Sequence, residues 1–329
     1  MNSADELARS YDWCYRVARG SGSSFYRAIW LLEKPQRNAM FALYAFARIT
    51  DDLGDAPGDL LQHPRSNAAS DLNSRTERLS AWRAMLTHRT SAAAHAASLH
   101  LPALGETADA VAFLAQYDQL WPALRHAVKT YQLPVELLQD LVTGVTMDLQ
   151  PVRLEHWSDV DRYCYHVAST VGLACTKLWR AAESLPVQEA IDCGVAFQIT
   201  NILRDLKEDA ARDRIYLPLD ELRKFGCDTE SWLGGAPRGN WLELVSAVID
   251  RARALYANGA RTIDHLPSRG ARMFALMWTS YRELLEAIDS QKADLWSDRR
   301  VRVPRRQRVR LLWKAFITPA TSERLWLDR

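Results

Sequence analysis

The sequence predicts an all-α protein folded as a single helical bundle. Two observations carry this expectation. Nearly every segment repeats its apolar residues with the 3.6-residue period of a helix, and none alternates convincingly as a strand would. The breaks between segments hold Pro, Gly, Asn and Ser, residues that end helices and form turns. No internal repeat of fixed period is present.

Residues 5–18 read as a first amphipathic helix, followed by the polar joint GSGSS at 20–24. Lys34-Pro35 marks a helix start, because Pro is well tolerated in the first turn. That helix runs through QRNAMFALYAFARITDDLGD, and Gly54 and Pro57 end it. Residues 56–74 read as a loop, and a helix resumes over 75–87. Residues 90–106 are rich in Ala, His and Ser and read as an irregular connection. Helical periodicity returns at 107–130, 134–147, 157–182 and 187–206. A break at 226–239, holding Gly234, Gly235 and Pro237, precedes helices at 241–264 and 269–293.

A chain of 329 residues can bury a sizeable core, and 48% apolar and 25% charged residues suit an ordinary globule. Its five cysteines are scattered and never in CxxC spacing, which points to reduced core thiols rather than disulfides or zinc. The N-terminus lacks a basic-then-apolar leader. The longest uncharged stretches, 90–105 and 163–176, fall short of a membrane span, so a cytoplasmic location is expected.

The net charge of +2 hides two acidic clusters. At about 100° per residue, Tyr44, Arg48, Asp51 and Asp55 share one helical stripe, with Asp52 beside it. Gln198, Asn201, Asp205, Glu208 and Asp209 share another. Like charges four apart repel by a few tenths of a kcal/mol, so something cationic is expected to compensate Asp205 and Asp209. Each cluster alone could be a solvated helix end paired with a nearby Arg. Their apolar flanks (Met40, Leu43, Phe46; Val195, Ile199, Ile202) point instead to polar faces around a cavity. Carboxylates without His or Cys suit Mg²⁺ or Mn²⁺. No Glu has a His three residues later, as a di-iron bundle would need, and no P-loop is present.

With these residues in view, the chain resembles the squalene/phytoene synthase family, the head-to-head isoprenoid synthases. YAFARITDDLGD at 44–55 is similar to the family's first aspartate motif. GVTMDL at 144–149 and YCYHVASTVG at 163–172 resemble two further signatures, and QITNILRDLKEDAARDRIYLP at 198–218 the second aspartate motif. The likeness spans roughly residues 10–288, with SSFY at 23–26 as its N-terminal motif. It implies an isoprenoid-synthase bundle with a central cavity, over a catalytic domain of 1–296 and a basic tail of 297–329. By position, Asp51, Asp55, Asp205 and Asp209 would bind Mg²⁺, with Asn201 among the ligands. Arg48, Gln198 and Arg214 would contact metal or diphosphate, and Ser24 and Phe25 substrate. Tyr44, Tyr163, Tyr216 and Tyr281 would line the cavity, and Phe41, Val167, Leu173 and Phe197 could keep it dry. Departures are His166 and Ser169, where Tyr and Gly are frequent, Asp213, where Gly is frequent, and an insertion-like region at 91–119.

The resemblance implies a prenyltransferase that couples two prenyl diphosphates. An allylic diphosphate ionises, C2=C3 of the acceptor attacks the cation, and proton loss closes a cyclopropane. The N-terminal stretch is more similar to bacterial presqualene diphosphate synthases of the hopanoid route than to plant-type phytoene synthases. Farnesyl diphosphate is therefore the first expected substrate, with NADPH needed only for a finish to squalene. A phytoene-type enzyme using geranylgeranyl diphosphate is the alternative. A class I terpene cyclase fits less well, as does an inactive scaffold, which should show eroded aspartate motifs.

Arginines crowd the C-terminus, and Val309, Leu312, Trp313 and Phe316 fall at i, i+3, i+4 and i+7. A helix docked on the bundle is one reading and peripheral contact with anionic membrane a sharper one. Nucleic acid is not an expected partner, since no binding fold accompanies the basic tail.

Overall fold

The computed structural model describes residues 3–20, 24–55, 68–90, 107–185 and 187–304, together with 306, 309, 310 and 313. As expected, the protein is all-α, and the described residues include only one pair of two-residue strands. The chain divides into two compact units, Met1–Leu149 and Gln150–Arg329.

The first unit comprises α1 (Ser3–Gly20), α2 (Ser24–Ala28), α3 (Lys34–Gly54), α4 (Ala68–Thr90), α5 (Ala108–Leu114), α6 (Trp121–Tyr131) and α7 (Val135–Met147). Pro35 starts α3, as the sequence predicts. Helix α3 packs against α1, α4, α6 and α7. It buries Met40, Leu43, Phe46, Ile49 and Leu53, each worth about 1.5–3 kcal/mol on transfer from water. Trp82 of α4 fixes its rotation. The indole stacks on Phe46 at 5.5 Å and donates to Thr50 Oγ1 at 3.0 Å. Two expectations need correction. Residues 68–74 belong to α4 rather than to a loop. The span 107–130 is broken by a 3₁₀ turn, Ala115–Leu120, after which Pro122 sits in the first turn of α6. The 91–106 part of the insertion-like region lies outside the described residues.

The second unit holds β1 (Val152–Arg153), α8 (Trp157–Cys164), α9 (Thr170–Leu178), α10 (Val187–Ala211), β2 (Arg214–Ile215), α11 (Leu219–Lys224), α12 (Thr229–Leu233), α13 (Trp241–Gly259) and α14 (Ser268–Ser290). Strands β1 and β2 pair in parallel, Val152 opposite Arg214 and Arg153 opposite Ile215. Helix α10 is the axis of this unit and packs against α8, α9, α13 and α14. At its centre Thr200 Oγ1 and Tyr256 OH share a buried hydrogen bond of 2.8 Å.

The helix expected over 157–182 runs without a gap from Trp157 to Leu178, but its middle, Tyr165–Ser169, is a π-helical turn between α8 and α9. It presses on α10 at Gly194, where a Cβ would come within 2.5 Å of Ser169 Cα. Ser169 Oγ then donates to the Ile191 carbonyl at 2.8 Å. A residue larger than Gly at 194 would push the turn off α10. All five cysteines are buried and none is in a disulfide, in line with the sequence expectation.

Candidate active site

In the first unit, α3 carries Tyr44 at its middle and Arg48, Asp51 and Asp52 in its C-terminal half, with Asp55 as its C-cap, and the buried residues of the same helix fix its rotation. Arg48, Asp51, Asp52 and Asp55 are exposed and Tyr44 is half-buried. Arg48 pairs with Asp52, its neighbour one turn on, with Nη2 2.6 Å from Oδ1 and Nε 3.2 Å from Oδ2. Arg48 is thus hydrogen-bonded to Asp52, and the other charges acting on Asp51 are acidic. Desolvation of its carboxylate, then the like charge of Asp55, pushes its pKa up to about 7. Asp52 and Asp148 add to the rise and Arg48 opposes it.

Asp148, the C-cap of α7, was not among the residues expected from sequence. It lies inside the GVTMDL signature, and its acidity was the available signal. Ser24 and Phe25 lie on α2, apart from the α3 stripe in sequence, and Phe25 is half-buried. The ring next to it, Tyr26, stacks on Phe41 at 6.0 Å.

The second unit collects the larger set. Gln198, Asn201, Asp205 and Asp209 lie along one half-buried face of α10, while Glu208 is exposed. Val195, Ile199 and Ile202 are buried beside them, which fixes the face. Asn201 Nδ2 donates to Gln198 Oε1 at 3.2 Å. Asn201 Oδ1 is buried and accepts no hydrogen bond from the described residues.

Tyr281 of α14 stacks on Phe197 of α10, with centroids 4.5 Å apart and planes at 15°. Burial raises the pKa of its phenol, against the pull of Arg204 and of a hydrogen bond from Asn201. The β1–β2 pairing sets the other two tyrosines. Tyr216 follows β2 and stacks on Tyr163 of α8 at 4.7 Å and 28°, and both are buried. Arg214 opens β2 and is half-buried. Asp213 before it has φ +59°, the left-handed region that favours glycine. That explains why Gly is frequent there in the motif. Here the Arg153 guanidinium holds the turn, donating to the Asp213 carboxylate and, at 2.8 Å, to its carbonyl.

The sequence calls for a cation at Asp205, and the structure supplies two from the chain itself. Arg204 grips the carboxylate with Nε 2.8 Å from Oδ1 and Nη2 2.5 Å from Oδ2. Arg300 adds Nε and Nη2, at 2.9 and 2.6 Å from Oδ1. Sequence reasoning missed both. Arg204 adjoins Asp205 and was legible from that adjacency, whereas Arg300 is 95 residues away and its approach is tertiary.

The sequence model of the squalene/phytoene synthase family matches residues 18–307, most of the chain. This chain belongs to the squalene/phytoene synthase family. The family's members are prenyltransferases of isoprenoid biosynthesis. Among relatives, the chain is similar to a 15-cis-phytoene synthase of Synechocystis, at 30% identity over 91% of this chain and 82% of that protein. It is also 30% identical to the chloroplastic phytoene synthase 3 of Zea mays, covering 94% of this chain and 66% of the plant protein. The chain thus spans slightly less than two thirds of that plant relative's length. Among solved structures, a ligand-bound dehydrosqualene synthase superposes with a TM-score of 0.68 at 23% identity, over 96% of this chain and 98% of that one. A squalene synthase from Alicyclobacillus acidocaldarius does so with a TM-score of 0.68 at 22% identity, over 89% and 99%. These likenesses place the chain in the all-α isoprenoid synthase fold.

Proposed function

We propose that this family member condenses two farnesyl diphosphates head to head into presqualene diphosphate, its acidic helices holding the diphosphates through divalent ions. The observation that supports this most is the α10 face. There Asn201 Oδ1, a buried carbonyl oxygen, lacks a hydrogen-bond donor among the described residues beside Asp205 and Asp209. A buried acceptor left unpaired costs about 1–3 kcal/mol, which a cation would offset. The donors are all oxygens, the type that suits Mg²⁺ or Mn²⁺, although among the described residues no three His, Cys, Asp or Glu side chains converge on one point. Asn201, Asp205 and Asp209 on α10, and Asp51 and Asp55 on α3, would hold such ions. When bound, they supply positive charge that neutralises a departing diphosphate.

The chain's own residues have the remaining tasks. Arg48 and Arg214 offer guanidiniums to diphosphate oxygens. Gln198 orients Asn201 through their 3.2 Å hydrogen bond. The Tyr163–Tyr216 stack and Tyr281 present ring faces that stabilise a carbocation through the quadrupole. The raised pKa of Tyr281 keeps its phenol protonated and hence a poor nucleophile toward that cation. Phe197 and Leu173 exclude water that would quench it.

A second reading, phytoene-type condensation of geranylgeranyl diphosphate, is favoured by the names of the curated relatives. Incubation of the protein and Mg²⁺ with each diphosphate, with and without NADPH, separates the outcomes. Presqualene diphosphate, or squalene with NADPH, from farnesyl diphosphate supports the first reading. Turnover of geranylgeranyl diphosphate alone supports the second, and no diphosphate release from either sinks both.

Within the 297–329 tail, the stretch after Val303 is assigned to peripheral contact with anionic membrane. Val309 and Trp313, one turn apart, are 46% and 67% exposed. Among the described residues no helix is long and apolar enough to cross a membrane. Equal pelleting with anionic liposomes by the full chain and by a chain cut at Val303 would sink the assignment.

A further inference from the structure

Residues 297–303 form a strap across α10. It follows α14 and a 3₁₀ turn, Lys292–Asp294. Buried Leu295, Val301 and Val303 pin it, and Trp296 meets Trp232 edge-on at 5.1 Å. Asp298 accepts from Lys207 Nζ of α10 at 2.6 Å. Between these anchors Arg300 reaches Asp205, and stands 3.8 Å from Glu208.

The arrangement at Asp205 Oδ1 is crowded. Arg300 Nε, Arg300 Nη2 and Arg204 Nε all donate to this one oxygen, at 2.9, 2.6 and 2.8 Å. A carboxylate oxygen has about two lone pairs, so three N–H groups saturate it. An Mg–O bond of about 2.0–2.1 Å would lie inside all three contacts. A guanidinium held there also repels an incoming dication.

The two arginines differ in freedom. Arg204 precedes Asp205 on the same helix and stays beside it. Arg300 is carried by a non-helical segment, and a cavity of about 240 Å³ lies alongside, lined by Arg204, Lys207, Glu208, Asp298, Arg299 and Arg300. It gives the Arg300 side chain room to swing.

We propose that Arg300 is a placeholder cation, neutralising Asp205 in the metal-free protein and withdrawing before Asp205 takes a divalent ion. The 297–303 strap is then a latch on metal entry at α10. This inference rests on the metal reading of Asp205 given above.

The test is an Mn²⁺ titration of the full chain, followed by the electron paramagnetic resonance of the free ion, without prenyl substrate. Arg300→Gln should bind Mn²⁺ at least about fivefold more tightly than the wild type. Asp298→Asn, which loosens the strap without touching Asp205, should shift affinity the same way by less. Mn²⁺ should also speed tryptic cleavage after Arg299 and Arg300 in the wild type. Circular dichroism checks that both variants are folded. Equal or weaker Mn²⁺ affinity in Arg300→Gln, with cleavage unchanged by Mn²⁺, overturns the latch and leaves the metal site standing. No Mn²⁺ binding by any of the three proteins overturns the metal reading and the latch together.

Discussion

Gly54 approaches Val145 so closely that a Cβ at position 54 would stand 2.3 Å from Val145 Cγ1. Helices α3 and α7 meet here, one residue before Asp55 and three before Asp148. Gly54→Ala should therefore destabilise the protein by about 1–3 kcal/mol, the usual range for overpacking. Val145→Ala opens the missing space, so the double variant should regain part of the loss in thermal melts. Additive losses in the double variant would show that the two residues do not share the contact.

Asp51 yields a pH dependence with a definite sign. A carboxyl whose pKa rises on folding, from 3.8 to about 7, opposes folding wherever it is ionised. The penalty is absent below about pH 4, grows up to about pH 7 and is complete above it. Screening at an exposed residue reduces it to about 1 kcal/mol, roughly 2–4 °C in Tm. Metal-free Asp51→Asn should thus melt above the wild type at pH 8 and level with it near pH 4. A constant difference at both pH values would refute the assignment.

Loss of chemistry without loss of fold is expected at the second acidic helix. Asp205→Asn keeps an acceptor for Arg204, so destabilisation should stay within about 2 kcal/mol. Turnover should fall by more than about 100-fold, because an amide is a poorer metal ligand than a carboxylate. Near-normal diphosphate release by this variant would contradict the role given to Asp205.

At Asp213 the backbone and the side chain pull in different directions. Asp213→Gly relieves the left-handed strain and gives up a half-exposed ion pair worth about 0–1 kcal/mol. Asp213→Ala keeps the strain, about 1–2 kcal/mol, and loses the pair as well. Urea melts should rank Gly at or above wild type and Ala below it. Alanine matching the wild type would show that φ at this position carries no strain.

Much of this was legible in the sequence because helical period and helix stops are local signals. Pro35 and Gly54 bracket α3, and the stripes through Asp51 and Asp205 follow from 100° steps along a helix. What could not be read was set by contacts between distant residues. The π-turn at Tyr165–Ser169 depends on Gly194 of another helix. The 3₁₀ break at 115–120 is a different case, because Pro122 just after it was a local signal inside a stretch whose apolar period runs on. The partners of Asp205 illustrate both cases. Arg204 is its neighbour in sequence, while Arg300 arrives only because Leu295, Val301 and Val303 bury and draw the strap across α10.

The five buried cysteines have a practical consequence. Their thiols are shielded, and burial lifts the pKa of each one, so little reactive thiolate is present in the folded chain. Labelling by a thiol reagent therefore acts as a clock for opening of the core. Cys14 reports on the first unit, while Cys164, Cys175, Cys193 and Cys227 report on the second. An inactive variant whose thiols stay silent has lost its chemistry, and one that labels quickly has lost its fold.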